Sequence, residues 1–599
     1  MTSRTVFVSI SDAQLNLLEQ SYAELKQSVY EGLVLQTRLK PYLDEVNLTI
    51  DESGIEVNFS VLEGDLNAQY VIDRHNAIID RLEIVHYAGA GLISLGWDGI
   101  AALDQWIAQA EADGQWAAIR AEAGAEFFEV TTDRSDLCLG TSVGDRLNGQ
   151  GGNDTVFGAG GNDDIRGNAG NDILDGGAGD DYLEGNAGSD TYVFSRGGGH
   201  DSVAINEALG TRTETLRLAG INLNEVTLSK GWYDNHLTIT VNNTGDSIRL
   251  NDFFYDGSRQ IDFLEFGDGT VWDRTTLLAQ EITVTGTAGN DGPIVGRDGG
   301  PDAMYGLAGS DTMRGGNNTD RMFGGDGNDD IRGNAGNDIL DGGAGDDYLE
   351  GNAGSDILQG CDGNDNIVDG TGTALFNGGA GADSLTGGSA AEVYLGGTGN
   401  DTLGAGAGND VILFNKGDGQ DTFAAGGTGS DTLSLGGGIA YGDLVFTKSA
   451  NDLVLKIGAS DQITFKDWYA GTPSKPVTKL QVMAEAMAGF VQGGSDPLLN
   501  QKVENFNFTG LASAFDAARA ANSGLTSWAL SNALASNNLG GSDSAAIGGD
   551  LAYQYGRNGT LTGIGVTPAL AVLADANLGT GAQTLSSLAS LQTGLVRLT

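Results

Sequence analysis

Along two long stretches of this 599-residue chain an apolar residue returns at every ninth position. In the longer stretch it is Met304, Met313, Met322, Ile331, Leu340, Leu349, Leu358, Ile367, Phe376, Leu385, Tyr394, Leu403 and Ile412, with no polar exception. Two positions ahead of it a carboxylate recurs with the same phase: Asp302, Asp311, Asp320, Asp329, Asp338, Asp347, Asp356 and Asp365, then Asp383, Asp401 and Asp410. The shorter stretch repeats the design at Asp145, Asp154, Asp163, Asp172, Asp181 and Asp190. The unit reads G-G-x-G-x-D-x-U-x, with U apolar. A nine-residue period is the mark of stacked short strands joined by tight turns. It predicts a six-residue glycine turn followed by a three-residue strand whose central side chain points inward. A disordered polar linker does not hold an apolar residue in register with a carboxylate.

Outside these tracts the pattern changes. Residues 1–133 contain fewer glycines, and their apolar positions follow a helical spacing. Ser11 and Gln14 have the spacing of a capping box. Leu15, Leu18, Tyr22, Leu25, Val29 and Leu33 then predict an amphipathic helix ending before Pro41. VNLTIDESGIEVNFSVL alternates like two strands around a Glu-Ser-Gly turn, and GIAALDQWIAQAEADGQWAAI predicts another helix. Trp97, Trp106 and Trp116 are expected in a core or an interface. Each nonapeptide tract is followed by a similar exit, TYVFSRGGGHDSV at Thr191 and VILFNKGDGQDTF at Val411, and then by alternating strands. The segment from Gly161 to Asp190 recurs unchanged from Gly327 to Asp356, a duplication that a stackable architecture tolerates.

The recurring aspartate and the glycine turn together suit calcium, a hard cation that takes six to eight oxygens from carboxylates and main-chain carbonyls. Glycine lets the turn reach φ > 0 and bring its carbonyls inward. The tracts resemble the repeats-in-toxin (RTX) family, hemolysin-type calcium-binding proteins. That resemblance implies two nonapeptides per right-handed coil, so that residues eighteen apart stack. One edge of the second tract then carries Asp311, Asp329, Asp347, Asp365, Asp383 and Asp401. The other runs Asp302, Asp320, Asp338, Asp356, Ala374, Glu392 and Asp410, with a defect at Ala374. Calcium is the expected cofactor and all seventeen repeat aspartates named above are its expected ligands. The strands after each tract resemble the hemolysin-type calcium-binding related module, which would cap an otherwise open sheet edge. LVLQTRLKPYLD and LGWDGIAALDQWI resemble a leader region upstream of the repeats in some large RTX proteins.

The expected fold is therefore mainly β: two calcium-binding parallel β-rolls, each followed by a β-rich capping module, with an N-terminal α+β domain. The expected boundaries are leader 1–133, roll 134–198, cap 199–281, roll 282–416, cap 417–505 and a C-terminal secretion-signal region 506–599, expected to be mobile.

The formal net charge is −50, from 81 acidic and 31 basic residues, which argues against nucleic acid or an anionic membrane surface as a partner. No apolar run is long enough to span a bilayer. Cys138 and Cys361 form no motif. None of the four histidines lies in H-E-x-x-H. Gly140-Thr141-Ser142-Val143-Gly144 matches G-x-S-x-G, yet it sits in phase with the repeats, not in a strand–turn–helix context. Nor does an N-terminal signal peptide stand out, since Asp12 interrupts the first apolar stretch. The resemblance then implies one-step type I export, read from an Ala/Leu/Ser/Gly-rich C-terminus beginning near Leu511. The expectation is a non-enzymatic, extracellular or cell-surface calcium-binding protein with a structural or adhesive role. It would self-associate into a homo-oligomer or polymer in calcium. The alternative is a secreted toxin or hydrolase whose effector is the N-terminal domain.

Overall fold

The computed structural model describes residues 39–44, 47–51, 54–94, scattered positions from 103 to 119, and 137–599 apart from 207–211, 425–426, 471–474, 595 and 599. The helix expected over Leu15–Leu33 lies outside these residues, as do Trp97 and Trp116. Two compact units divide the chain: residues 1–229 with 235–277, and residues 230–234 with 278–599.

In the first unit, strands Asn47–Asp51 and Gly54–Asn58 pair antiparallel, as their alternation predicts. Helices Ser60–Ile72 and Arg74–Ser94 follow. Their inner faces bury Leu62, Leu66, Ile78, Leu82 and Val85. Trp106 belongs to this core. It stacks on Tyr70 with ring centroids 4.2 Å apart, and the Arg81 guanidinium lies 4.2 Å above its ring. Arg81, fully buried, is neutralised by Glu63 at 2.8 Å.

The first nonapeptide tract folds into two parallel sheets. One contains Leu137–Leu139, Thr155–Phe157, Ile173–Asp175 and Thr191–Ser195, in the register Leu137↔Thr155↔Ile173↔Thr191. The other contains Arg146–Asn148, Asp164–Ala169, Tyr182–Ala187 and His200–Ala204. Partners in the repeats are thus eighteen residues apart, which is two nonapeptides per coil. The coil continues past the last repeat, through Thr215–Ala219 and Phe263–Phe266 on one side and Ser247–Leu250 on the other. Antiparallel strands follow: Val271–Asp273 on the first sheet, and Leu237–Val241 and then Val226–Gly231 on the second. Gly140–Gly144 is the turn between strands Leu137–Leu139 and Arg146–Asn148, so Ser142 is followed by a strand and not by a helix.

The second unit repeats this plan at greater length. One sheet stacks Ile282–Thr285, Asp302–Ala308, Arg321–Asp326, Ile339–Ala344, Ser355–Asp362, Thr373–Gly381, Val393–Gly399, Val411–Phe414, Asp431–Leu435 and Val477–Val482, all parallel. The opposite sheet stacks the intervening strands from Ile294–Val295 to Asp461–Phe465. Between them the predicted inward residues form one core: Met304, Met322, Leu340, Leu358, Phe376 and Tyr394 on one side, Met313, Ile331, Leu349, Ile367, Leu385 and Leu403 on the other. Antiparallel strands again follow, Val503–Asn507 and Asn538–Ser542 on the first sheet and Asp452–Ile457, Leu444–Ser449 and Ser527–Ala529 on the second.

The chain beyond 506 is folded, contrary to the mobility expected of it. Helix Phe508–Ala521 closes the end of the roll core, where Phe508 packs against Phe446, Phe465 and Trp468 with ring centroids 5.0–5.7 Å apart. Helices Gly549–Asn558 and Val566–Leu573 lie on an outer face of the roll. Leu551, Tyr555, Val572 and Leu573 cover Ile339, Ile357, Leu375, Val393 and Val411 there. Cys138 and Cys361 are not joined in a disulfide.

Candidate functional site

The repeat aspartates form columns held by the backbone. In the second roll the Asp311 main-chain N–H donates to Asp329 Oδ1 at 2.7 Å, Asp329 to Asp347 at 2.8 Å, Asp347 to Asp365 at 2.8 Å, Asp365 to Asp383 at 2.8 Å and Asp383 to Asp401 at 2.9 Å. On the other edge Asp302, Asp320 and Asp338 donate in the same way to Asp320, Asp338 and Asp356 at 2.8–2.9 Å. The first roll has the same pattern, from Asp145 to Asp163 to Asp181 and from Asp154 to Asp172 to Asp190. One carboxylate oxygen thus serves the ladder.

The other oxygen is left over. Oδ2 of Asp163, Asp172, Asp181, Asp311, Asp329, Asp338, Asp347, Asp356, Asp365, Asp383, Asp401 and Asp410 is buried without a hydrogen-bond partner. Burying so many polar atoms unpaired is untenable unless something else satisfies them. The turn glycines show where. A Cβ added at Gly360 would lie 2.2 Å from Asp365 Oδ2 and 2.6 Å from the Gly378 carbonyl one coil on; at Gly378 both corresponding distances are 2.4 Å. The bare glycine lets a carboxylate and a carbonyl oxygen converge across successive coils. Among the described residues no three His, Cys, Asp or Glu side chains cluster into a conventional metal site. The donors are instead one carboxylate per turn plus main-chain carbonyls, the hard-oxygen set that calcium prefers over softer or smaller metals. The residues present therefore fit calcium.

Burial raises these carboxyls. Asp365 and Asp383 are pushed up to about 6, Asp338 and Asp347 to about 7, and Asp356 to about 8, with the neighbouring column carboxylate adding to the effect. Without a cation, each column places like charges at about the strand spacing of 4.8 Å.

The columns are longer than the nine-residue period indicates. Asp291 donates to Asp311 Oδ1 at 2.7 Å, and Asp181, Asp401 and Asp410 donate to Asp201, Asp421 and Asp431 at 3.0–3.1 Å. These four extra members sit across turns that are two or three residues longer, which takes them out of phase. The signal was the aspartate in GTAGND, GGGHDSV, GDGQDTF and GTGSDTL.

Ala374 interrupts the ladder, but not the charge. Asp369, at the first turn position of the same repeat where glycine is usual, is fully buried with Oδ2 unpartnered. Its charge acts on both Asp356 and Glu392. The expected defect is thus a swap of the carboxylate from the sixth turn position to the first. Glu392 rejoins the ladder, its N–H donating to Asp410 Oδ1 at 3.0 Å. Its carboxyl is driven far up by burial and by its hydrogen bond to Asp410.

At the first coils the protein supplies the partners itself. Asp145 Oδ2 accepts from Thr141 N at 2.7 Å and Thr141 Oγ1 at 2.8 Å. Asp302 pairs with Arg297 Nε at 2.7 Å.

The family models agree with this geometry. The family model of the RTX calcium-binding nonapeptide repeat matches residues 139–174, 157–192, 166–202, 298–331, 323–358, 359–391 and 386–421. That of the haemolysin-type calcium binding protein related domain matches residues 236–276. Iron-regulated protein FrpA of Neisseria meningitidis serogroup C is 30% identical over 296 residues, covering 48% of this chain and 25% of that protein. The chain thus spans a quarter of the length of this relative. The crystal structure of the extracellular lipase LipA from Serratia marcescens aligns over 53% of this chain and 38% of that one, at 20% identity and a TM-score of 0.10.

Proposed function

We propose, for a chain that belongs to the RTX calcium-binding repeat family, an extracellular structural or adhesive role in which calcium completes the rolls and the folded protein self-associates. The repeats bind calcium. The observation that carries the proposal is the run of buried, unpartnered Asp Oδ2 atoms along both edges of both rolls. They call for many cations along the fold and not for one ion at a reaction centre. Every repeat aspartate is assigned as a ligand except Asp145, Asp302 and Asp320, whose second oxygens are taken by Thr141, Arg297 and the Gly316 N–H; Asp201, Asp421 and Asp431 join the set. Among the described residues no helix is long and apolar enough to cross a membrane. Export by a type I system, read from the C-terminal segment, is part of the same proposal.

Self-association follows from charge and repetition. Cations held in the columns remove much of the repulsion of a −50 chain at close approach, and unlike ends pairing head to tail generate open filaments. The experiment is light scattering with negative-stain microscopy of the purified chain, with millimolar calcium and with chelator. Particles or filaments that form in calcium and dissolve on chelation are expected. A monomer throughout would leave a calcium-binding protein without the assembly role, and turnover of lipid, protein or polysaccharide by the N-terminal region would favour a secreted effector.

A further inference from the structure

The first turn position of the repeat is nearly always glycine, and a side chain grafted there runs straight into the column oxygens. At the head of the second roll this position, five residues before Asp302, is Arg297. Its main-chain N–H donates to Asp302 Oδ2 at 2.5 Å and its Nε to Asp302 Oδ1 at 2.7 Å. The far end of the guanidinium donates to three carbonyls: Leu278 O at 3.1 Å, Gln280 O at 2.9 Å and Pro301 O at 2.6 Å. One buried carboxylate with three main-chain carbonyls is an oxygen set of the kind a hard cation takes. Here a guanidinium, planar and always charged, has taken it.

The column itself records the difference. Asp338 and Asp356 each keep a buried, unpartnered Oδ2, whereas Asp302 and Asp320 do not; Asp320 Oδ2 accepts from Gly316 N at 2.8 Å. Leu278 and Gln280 belong to the chain leading into Ile282–Thr285, which pairs in parallel with Asp302–Ala308. The guanidinium therefore ties the incoming chain to the first turn. Lys230 adds a further, smaller positive influence on Asp302.

We propose that Arg297 is a resident cation that occupies the first cation position of the Asp302–Asp320–Asp338–Asp356 column, so that the first coil of the second roll assembles without calcium and templates the coils that need it. In a solenoid each coil is stabilised by its neighbours, so one preformed coil gives propagation a defined starting point. The inference rests on the calcium-driven reading of the rolls, and the experiment separates the two.

Hydrogen exchange on the full chain in chelator is expected to show slow amides in Ile282–Thr285 and Asp302–Ala308 and fast ones in Tyr348–Ala353 and Ser355–Asp362. Calcium then protects all four. Arg297→Gly, which restores the usual glycine, is expected to lose the chelator-resistant protection and, in calcium, to bind one ion more than the parent by equilibrium dialysis. Parent first-coil amides that exchange in chelator as fast as the mid-roll ones would overturn the role of Arg297 alone, as would an Arg297→Gly chain with unchanged protection and ion count. Protection of the mid-roll strands in chelator would instead overturn the calcium-driven reading. If Arg297→Gly does not fold, the parent exchange pattern decides, and Arg297→Lys, which keeps the charge but loses the fork, is expected to keep only part of the protection.

Discussion

At the residue scale the first turn position governs the site. A methyl group at Gly360 would press on Asp365 Oδ2 at 2.2 Å, whereas one at Gly404 would find nothing nearer than 3.8 Å. Gly360→Ala is therefore expected to cost about 1–3 kcal/mol in calcium, the range for forcing atoms into a filled site, and to lower the number of bound ions. Gly404→Ala is expected to leave the ion count unchanged; denaturant titration and equilibrium dialysis compare the two. The carboxyls also set a pH dependence for the metal-free chain. Burial raises Asp365 to about 6, Asp347 to about 7 and Asp356 to about 8. A carboxyl whose folded value lies above its unfolded value of about 3.9 holds its proton more tightly in the folded chain. It stabilises the fold below the unfolded value, and that contribution disappears as pH rises through the folded one. In chelator, β-structure by circular dichroism is thus expected to grow on acidification from about pH 8 to about pH 4, and calcium to bind more weakly at the acid end; loss of structure on acidification would contradict the raised carboxyls. The regular aspartates were legible in the sequence because their phase never changes within a tract. Asp201, Asp291, Asp421 and Asp431 were not, because longer turns shift their phase. Asp369 and Arg297 escaped because they stand where the pattern calls for glycine, and only the fold shows that a side chain there enters the column.

At the element scale, each roll has two outer faces of different character, and this decides what covers it. Residues directly after the column aspartates alternate by coil edge: Ile339, Ile357, Leu375, Val393 and Val411 on one sheet, Asp330, Tyr348, Asn366, Ser384 and Thr402 on the other. The apolar face is covered by the C-terminal helices. The equivalent face of the first roll, through Leu137, Leu139, Phe157 and Ile173, packs against the N-terminal helices. This eighteen-residue pattern was present in the sequence, but it is hidden when the repeat is read nine residues at a time. The polar faces carry ion-pair lattices instead: Arg332 reaches Asp330 at 2.8 Å and Glu350 at 3.0 Å, and Arg166 reaches Asp164 at 3.0 Å and Glu184 at 3.3 Å. The strand alternation after each tract was readable, but not that the parallel coils run on before turning antiparallel, because that depends on which distant strands pair. Helix Phe508–Ala521 gives the sharpest test at this scale. Its Phe508 is fully buried among Phe446, Phe465 and Trp468 at the end of the roll core. Phe508→Ala is expected to cost about 3–5 kcal/mol in calcium-loaded stability. It should leave the mid-roll ion count unchanged, since Phe508 packs on Phe446, Phe465 and Trp468, beyond the mid-roll repeats. Calorimetric unfolding paired with equilibrium dialysis separates this effect from damage to the cation sites.

At the scale of the whole molecule, calcium binding and folding are expected to be one equilibrium. Two neighbouring carboxylates in a column, at about 4.8 Å and an effective dielectric of about 20, repel by roughly 3 kcal/mol. A few uncompensated pairs per column therefore match the entire stability of a typical domain, about 5–15 kcal/mol. The apolar core between the sheets favours the rolled state, but it is thin: one inward side chain per nine residues, with glycine turns that lose more backbone entropy on ordering than any other residue. Repulsion and entropy together are expected to outweigh that core until cations enter, with ligand binding then appearing as folding free energy. Extracellular calcium modules work at roughly 10⁻⁴–10⁻³ M, so the chain is expected to stay expanded at low calcium and to fold near millimolar calcium. The measurement is circular dichroism with small-angle scattering across a calcium titration. In chelator at neutral pH the chain is expected to be expanded, with weak β-signal. Near millimolar calcium it is expected to compact cooperatively, with a midpoint that rises when Asp365→Ala removes one member of the uninterrupted Asp311–Asp401 column. Magnesium at the same concentration is expected to fail, because its smaller octahedral shell does not suit a carboxylate-and-carbonyl set spread over two turns. Full β-structure in chelator, unchanged by calcium, would sever folding from binding and leave the buried carboxylates without a counter-charge.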